Sequence, residues 1–185
     1  MARLPEITSR DELPEAERGI FDYIEKTRGR VGLPYSLFLH HPELAYRKLH
    51  IGSYVRFESS LPHNVGELAI CTAAREFDCK FEWAAHAGAA PRAGVSTEAL
   101  DAIAYKRELD GLPDEEALPI RFARELLRNH RVADGTYAAA LERYGKRGVL
   151  ELGAAVGYYV MSACWMNLIE IEPPADRPQL PALDA

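Results

Sequence analysis

Two acid–base side chains and one thiol lie close together between positions 79 and 86. Glu82 and His86 are four residues apart, so on a helix they lie about one turn apart on the same face and their side chains can meet. A carboxylate beside an imidazole can accept and donate protons near neutral pH. Cys79 precedes them at a predicted helix N-terminus, where free backbone amides favour a thiolate. These residues together predict a proton-transfer site.

The same spacing has a second interpretation that involves no catalysis. A Glu and a His four residues apart are common as a solvated ion pair, and a cysteine in an alanine-rich stretch is common as a core residue. The spacing alone therefore leaves both interpretations open.

Three other residues are candidates for substrate binding. The guanidinium of Arg56 is able to bind a carboxylate through two hydrogen bonds, although a surface ion pair with Glu58 or another acid would use the same group. Tyr158 and Tyr159 lie in an apolar segment, where a buried phenol needs a hydrogen-bond partner. One of these tyrosines is therefore a candidate to face the site, while plain packing is the favoured interpretation.

The histidines do not form a metal-binding pattern. Neither His-x3-His nor Cys-x2-Cys spacing occurs in the sequence, and these spacings are typical of zinc sites. Pro42 places His40 and His41 at the start of a predicted helix. We expect no metal and no cofactor.

Composition and charge narrow the classes of function. The chain has 185 residues, 48% of them hydrophobic and 27% charged, which is typical of one globular domain. It carries 22 Lys and Arg against 28 Asp and Glu, a net charge of −6, so its overall field repels nucleic acids and anionic membranes. Three cysteines, an odd number, and an N-terminus without an apolar signal segment favour the cytoplasm.

Apolar residues recur at helical spacing along nearly the whole chain, and strand-like alternation of useful length is absent. The sequence therefore predicts an all-α protein with one helical domain. The predicted helices span residues 12–27, 42–58, 65–77, 79–92, 96–106, 115–130, 136–144 and 147–169. Asp78 is the predicted N-cap of the fourth helix.

The predicted organisation has three parts. Residues 1–34 form an N-terminal helix and loop, residues 35–172 form the helical domain, and residues 173–185 form a proline-rich tail. Four prolines in the last 13 residues forbid a helix there, so we expect an extended arm that is loose or lies across a neighbouring subunit.

The segment 152–169 has no formal charge over 18 residues, which reaches the lower length limit for a membrane span. Glycine, serine and asparagine interrupt it, and Glu151 and Glu170 bound it closely. We therefore expect no membrane span but a helix buried in the core or partly by another subunit.

The spacing of Glu67, Cys79, position 82 and His86 resembles the signature of the carboxymuconolactone decarboxylase and alkylhydroperoxidase D superfamily, Glu-x11-Cys-x2-Cys-x3-His. Segments 52–62 and 151–159 also resemble its longer members, so the likeness extends from about residue 37 to residue 173. The resemblance implies a helical array that assembles as trimers or hexamers. It also implies that, in the peroxidase branch, the two signature cysteines form a redox pair while Glu67 and His86 relay protons.

The sequence departs from the peroxidase branch at position 82, where Glu82 replaces the second cysteine. A dithiol cycle needs two sulfurs within disulfide reach, so the standard peroxidase cycle is disfavoured. Cys71 and Cys164 remain open as alternative partners for Cys79. The decarboxylase branch, by resemblance, uses a Glu and a His without a cofactor to move protons on a carbon acid derived from aromatic-ring cleavage.

Three hypotheses follow for the function. The first is a cofactor-free lyase or isomerase of a small unsaturated carboxylic acid or lactone, as in aromatic-compound catabolism. In it Glu82 and His86 are the acid–base pair, Glu67 is the orienting group and Cys79 is auxiliary. The second is a thiol-dependent alkyl hydroperoxide reductase that uses Cys79. The third is a small-molecule-binding protein without turnover. In each case we expect a cytoplasmic homo-oligomer, a dimer, trimer or hexamer.

Overall fold

Helices account for the regular structure of the chain in the computed structural model, which describes residues 2–183. These residues form eight α-helices and no β-strand, which confirms the predicted all-α class. The helices are α1 (Arg18–Arg28), α2 (Tyr35–Phe38), α3 (Pro42–Ser53), α4 (His63–Glu76), α5 (Lys80–Ala87), α6 (Thr97–Ala104), α7 (Asp114–Asn129) and α8 (Asp134–Leu168). A π-helix, Tyr54–Glu58, continues α3, and short 3-10 turns lie at Arg10–Glu12, Glu15–Glu17 and Ala90–Ala93.

Several helix bounds differ from the prediction. The first helix begins at Arg18 rather than at residue 12, because two 3-10 turns separated by Pro14 come before it. The helix predicted for residues 79–92 ends at Ala87, and a 3-10 turn containing Pro91 follows. The last two predicted helices are two parts of α8, separated at Gly145 by a non-helical φ of 68° and ψ of 177°.

Helix α4 lies at the centre of the fold and packs against α5, α6, α7 and α8. Its buried positions are mostly small, including Ala69, Ala73 and Ala74, which lets neighbouring helices approach closely. Glu67 lies on this central helix, so its position relative to α5 and α8 is fixed by core packing.

The reversal between α4 and α5 is a Schellman motif. The amide of Cys79 donates to the carbonyl of Ala74 at 2.8 Å, and the amide of Asp78 donates to Arg75 at 3.2 Å. Asp78 has a φ of +46°, a conformation that Asp tolerates better than most residues. The prediction of Asp78 as the N-cap of α5 is therefore wrong: Asp78 ends α4, and Cys79 occupies the N-cap position.

The start of α3 is fixed by its first residues. His41 Nδ1 accepts a hydrogen bond from the amide of Leu44 at 3.3 Å, and Pro42 occupies the first helical position. Proline is favoured there because the missing amide has no intrahelical partner. His40 and His41 thus lie at the start of a helix, as the sequence predicted.

Glu151 on α8 holds the π-helix and the loop after it against the domain. Its buried carboxylate accepts hydrogen bonds from Tyr54 Oη at 2.6 Å, from the Ser60 amide at 2.9 Å and from Arg147 Nε at 2.9 Å. Burial alone would raise the pKa of Glu151, but hydrogen bonds from Ser60, Tyr54 and Arg147 outweigh it and lower the pKa to about 2.

The proline-rich tail lies against its own chain over residues 173–183. The buried guanidinium of Arg75 donates to the carbonyl of Pro181 at 2.8 Å, and Leu180 packs on the core around α4. The tail is not helical, as predicted, but the prediction of a loose arm is wrong for these residues, because a buried arginine needs an acceptor and the tail supplies it. Contact of the tail with a neighbouring subunit stays a prediction. Residues 184 and 185 lie outside the described part.

Helix α8 is long and apolar enough to cross a membrane by length and composition alone. Of its most apolar 18-residue window, 56% is buried inside the folded chain, as a core helix requires. The rest leaves an exposed apolar strip with Leu150 and Leu168 at its ends and Ala154, Gly157 and Cys164 between them. Contact of this strip with another subunit stays a prediction.

We expect the substitution Glu151→Gln to lower the free energy of unfolding at pH 7 by about 1.5 to 3 kcal/mol, because charge-assisted hydrogen bonds are lost. The folded-state pKa near 2 lies below the ordinary value of 4.5, so the wild type loses this stabilisation as the pH falls from 4.5 toward 2. Urea unfolding at pH 7 and pH 3 measures both effects. Glu142→Gln, at an exposed position of the same helix, is the control, and an equal pH response of E151Q and wild type would contradict the prediction.

Candidate functional site

A cavity of about 590 Å³ lies between α3, α5, α8, the loop before α2 and the tail. This volume suits a small organic molecule. Its wall carries titratable side chains from all three helices. The central ones are Lys48 from α3, Glu82 and His86 from α5, and Tyr158 and Tyr159 from α8.

The structure brings Glu67, Glu82 and His86 together. His86 Nδ1 lies 2.8 Å from Glu67 Oε2, and His86 Nε2 lies 3.6 Å from Glu82 Oε2. The side chains of all three are largely buried, which contradicts the interpretation of Glu82 and His86 as a solvated ion pair. Glu82 and His86 line the cavity, whereas Glu67 contacts His86 from α4 and lines a smaller cavity of about 90 Å³.

The two distances show that Glu67 and Glu82 interact differently with His86. An ionised carboxylate only accepts hydrogen bonds, so contact with Glu67 places the imidazole proton on Nδ1. The other ring nitrogen, Nε2, is then an acceptor on the side of Glu82. At 3.6 Å this nitrogen and the Glu82 oxygen are too far apart for a good hydrogen bond. Each can therefore exchange a proton with a molecule in the cavity.

Both predicted tyrosines line the cavity, not only one of them. The ring of Tyr159 meets the ring of His86 edge-on, with centroids 4.9 Å apart, and fixes the imidazole plane. Burial, together with the nearby charge of Glu82, raises the pKa of Tyr159 well above its usual value. Tyr159 is therefore a neutral phenol at physiological pH.

Arg56 lies at the rim between the two cavities. It lines both of them, its side chain is exposed, and its guanidinium lies 5.1 Å from the ring centroid of Phe57. Within residues 2–183 it forms no salt bridge with Glu58 or with any other acid, so the alternative of a surface ion pair is not formed. Its position is that of a group at the mouth of the site.

Cys79 is placed differently from the prediction. It is fully buried, does not line the cavity, and its sulfur lies 4.0 Å from the sulfur of Met166, which does. Burial raises the pKa of the Cys79 thiol to about 11, and the backbone amides of Glu82 and Phe81 offset only part of this effect. The prediction of thiolate character is therefore wrong, because desolvation outweighs the helix N-terminus.

The other two cysteines are also free thiols. Cys71 lies in the core around α4, and burial raises its pKa well above the usual range. Cys164 is exposed on α8. In the described structure neither is joined to Cys79.

Lys48 was missed by the sequence analysis. Its side chain is only 4% exposed, it lines the cavity, and Nζ donates a hydrogen bond to Tyr158 Oη at 2.9 Å. The available signal was its position: Ala45, Leu49 and Gly52 form the buried face of α3, and Lys48 lies on that same face. A lysine within an apolar helix face is unusual unless something pairs with it.

Aromatic rings surround the ammonium group of Lys48. The nitrogen lies 4.5 Å from the ring centroid of Tyr158, 5.1 Å from that of Phe38 and 5.9 Å from that of Trp165. Burial lowers the pKa of Lys48 to about 8, and the nearby charge of Glu82 offsets part of this effect. Lys48 therefore retains a charge at pH 7 that the protein has to desolvate.

Within residues 2–183, no group of three or more His, Cys, Asp or Glu residues is arranged to hold a metal ion. Of the clustered histidines considered in the sequence, His40 Nε2 lies 2.8 Å from the carbonyl oxygen of Pro5. That contact ties the N-terminal segment to α2 and α3.

Solved structures similar to this chain include the following three. An uncharacterized peroxidase-related protein from Ralstonia eutropha JMP134 with an alkylhydroperoxidase AhpD core has a TM-score of 0.75 at 16% identity, over 95% of this chain and 93% of that chain. The chain has the AhpD-core fold. An uncharacterized peroxidase-related protein from Silicibacter sp. TM1040 gives a TM-score of 0.74 at 15% identity, over 95% and 93% of the two chains.

The third AhpD-like structure is a protein of unknown function from Agrobacterium tumefaciens, with a TM-score of 0.66 at 14% identity, over 74% of this chain and 94% of that chain. No family model matches the sequence, and no curated protein matches it. The likeness in structure thus establishes the fold predicted from the spacing around Glu67 and His86.

We expect one thiol of the folded chain, diluted until it is monomeric, to react rapidly with Ellman's reagent, because only Cys164 is exposed in the single chain and the other two thiols are buried and neutral. Absorbance at about pH 8, near the ordinary thiol pKa, measures the reaction, and denaturation in urea should release the remaining thiols. Cys164→Ser should remove the rapid phase, and Cys79→Ser should leave it. A rapid phase that disappears in C79S would contradict the burial of Cys79.

We expect Lys48→Met to raise the free energy of unfolding at pH 7 by about 1 to 3 kcal/mol, because methionine keeps an apolar side chain of similar length and removes a desolvated charge. The folded-state pKa of about 8 lies below the ordinary 10.5. At pH values between these two pKa values, the unfolded chain binds more protons than the folded chain, so the stability of the wild type rises with pH. The stability advantage of K48M over the wild type therefore shrinks as the pH rises.

Urea unfolding at pH 7 and pH 10 measures this difference. The charged and titratable groups facing Lys48 are Glu82 on α5, Arg28 on α1 and Tyr158 on α8, and they are unchanged in the variant. Lys146→Met, at an exposed position, serves as the control. A large loss of stability in K48M would show that Lys48 is a structural residue.

Proposed function

We propose that this AhpD-fold protein is a lyase or isomerase that transfers protons on a small unsaturated carboxylic acid or lactone, as in aromatic-compound catabolism. The observation that carries the proposal is the buried cluster of Glu67, His86 and Glu82 at the wall of a 590 Å³ cavity. The cluster provides a proton acceptor and a second titratable group at one wall of the cavity, which is the arrangement that acid–base catalysis needs.

His86 is the proposed base. Its Nδ1 proton is held by Glu67 at 2.8 Å, so Nε2 carries the free electron pair. Nε2 removes a proton from a carbon next to the carbonyl group, and the electrons of that C–H bond move into an enolate. The resulting imidazolium is stabilised by the carboxylate of Glu67, as in other His–carboxylate pairs.

Glu82 is the proposed second proton carrier. Its carboxyl oxygen lies 3.6 Å from His86 Nε2, close enough to receive the proton through a small shift or a water molecule. Return of the proton to a different carbon completes a double-bond migration. In the lyase reaction, the electrons of a carbon–carboxylate bond form the enolate as CO2 leaves. The proton is then added to the carbon that carried the carboxylate.

Two further properties belong to the proposal. The exposed apolar strip of α8 is the surface proposed for contact between subunits of a homo-oligomer, dimer, trimer or hexamer. The three free thiols support a cytoplasmic location. Because the chain is acidic, we propose neither a nucleic acid nor a membrane as its partner.

We expect Glu82→Gln and His86→Gln to lower kcat by at least about 100-fold, as general acid–base groups do, and Glu67→Gln by about 10- to 100-fold through loss of orientation. Cys79→Ser should change kcat by less than about 3-fold, because the thiol lies outside the cavity wall. Incorporation of deuterium from D2O into a panel of dienoates and unsaturated lactones, followed by proton NMR, measures the reaction whichever product is formed.

Glu98→Gln, an exposed position in the first turn of α6, is the control for the acid–base variants. Equal rates of exchange in wild type and H86Q would contradict the assigned base. A defined rise in melting temperature with one compound, in the absence of any exchange, would instead favour a binding protein.

A thiol-dependent hydroperoxide reductase is the second candidate. The specific observation in its favour is that two structures with this fold are described as peroxidase-related. In such a reaction the hydroperoxide oxidises one thiol to a sulfenic acid, and an external thiol reduces it. Loss of the Cys79 thiol, with one hydroperoxide molecule consumed per thiol lost, and its recovery by dithiothreitol would favour this candidate over proton transfer.

A further inference from the structure

Lys48 is a buried cation without an anionic partner in contact. Nζ carries three N–H donors, and one is used by Tyr158 Oη at 2.9 Å. Throughout residues 2–183, no carboxylate forms a salt bridge with Lys48. A buried ammonium is normally paired, so the missing partner is expected in the cavity that Lys48 lines.

Tyr158 supplies a second donor at the same place. Burial raises the pKa of the Tyr158 phenol above its usual value, so the hydroxyl keeps its hydrogen. Because Oη accepts from Lys48, that hydrogen is available to an acceptor in the cavity. Two donors on α3 and α8 thus lie 2.9 Å apart beside one open space.

The packing around this pair is built to hold it. Gly52, one turn after Lys48, lies directly against the phenol, and a Cβ at that position would overlap Tyr158 Oη. The aromatic rings of Phe38, Tyr158 and Trp165 keep the ammonium in place. A side chain that is nearly fully buried and held on several sides is pre-organised for a ligand.

The charges of the cavity wall favour an anion. Besides Lys48, the wall carries the cationic groups of Arg30, Arg56 and Arg177, against the acidic groups of Glu6 and Glu82. The three arginines are exposed and lie at the rim. They attract an anion to the opening, whereas Lys48 meets it inside.

We propose that Lys48 and Tyr158 form the binding site for the carboxylate of the substrate, which is therefore a small organic anion and not a neutral lactone or hydroperoxide. The carboxylate accepts one hydrogen bond from Nζ and one from Oη. This inference rests on the proposed function for the reaction, but the binding step itself needs no turnover. It assigns to Lys48 the role that the sequence pattern suggested for Arg56.

The test is calorimetric titration at pH 7 with two matched probes, sorbate and its neutral alcohol 2,4-hexadienol. We expect wild type to bind sorbate at least 10-fold more tightly than hexadienol. Lys48→Met should weaken sorbate at least 10-fold and leave hexadienol unchanged, and Tyr158→Phe should weaken sorbate about 3- to 10-fold. Lys146→Met, at an exposed position outside the cavity, should bind as wild type does. A melting curve of each variant shows that it is folded.

His86→Gln separates this inference from the proposed function, since it should abolish proton exchange and keep sorbate binding. Sorbate binding that is equal in wild type and K48M would overturn the role of Lys48. Equal affinity for the acid and the alcohol, or no binding of sorbate, muconate and benzoate by wild type, would overturn the anion site. A covalent adduct at Lys48, trapped by borohydride from a keto acid, would also overturn it by showing a nucleophilic amine.

Discussion

The hydrogen bond between Glu67 and His86 joins the two helices on which the site is built. It spans α4 and α5, which are connected by a Schellman reversal at Asp78, and its length is 2.8 Å. Packing against four neighbouring helices fixes the central helix α4. Rotation of the imidazole ring would therefore break the hydrogen bond, because Glu67 cannot move with the ring. The position of His86 therefore depends on core packing, and the free nitrogen of the ring points to Glu82 because the other nitrogen is occupied.

Desolvation sets the protonation state of the groups around this bond. It keeps the thiol of Cys79 protonated and the phenols of Tyr158 and Tyr159 neutral, and it lowers the pKa of Lys48. The same buried environment that keeps the thiol of Cys79 protonated leaves the ammonium group of Lys48 desolvated and without an anionic partner. A cavity with these walls is better suited to handling protons and anions than to thiol oxidation, which begins from a thiolate.

Helical spacing and the positions of Gly and Pro were enough to predict the class of fold and most helices, because these signals are local. The pair Glu82 and His86 was also predictable, since four residues on one helix determine a shared face. The environment of Cys79 was not, because a local argument about the helix N-terminus contains no information on burial by Met166 from α8. Lys48 was missed for a related reason: its partner Tyr158 is 110 residues away.

Gly52 shows how the fold and the site constrain each other. On the buried face of α3, a larger apolar residue would bury more surface and favour the helix. Glycine is needed there because the phenol of Tyr158 occupies the space that a Cβ would fill. The phenol in turn accepts a hydrogen bond from Lys48, one turn earlier on the same helix. The sequence Lys48-x3-Gly52 thus gives up helix stability and apolar burial at two positions of one face, and what it gains is a positioned pair of donors at the cavity wall.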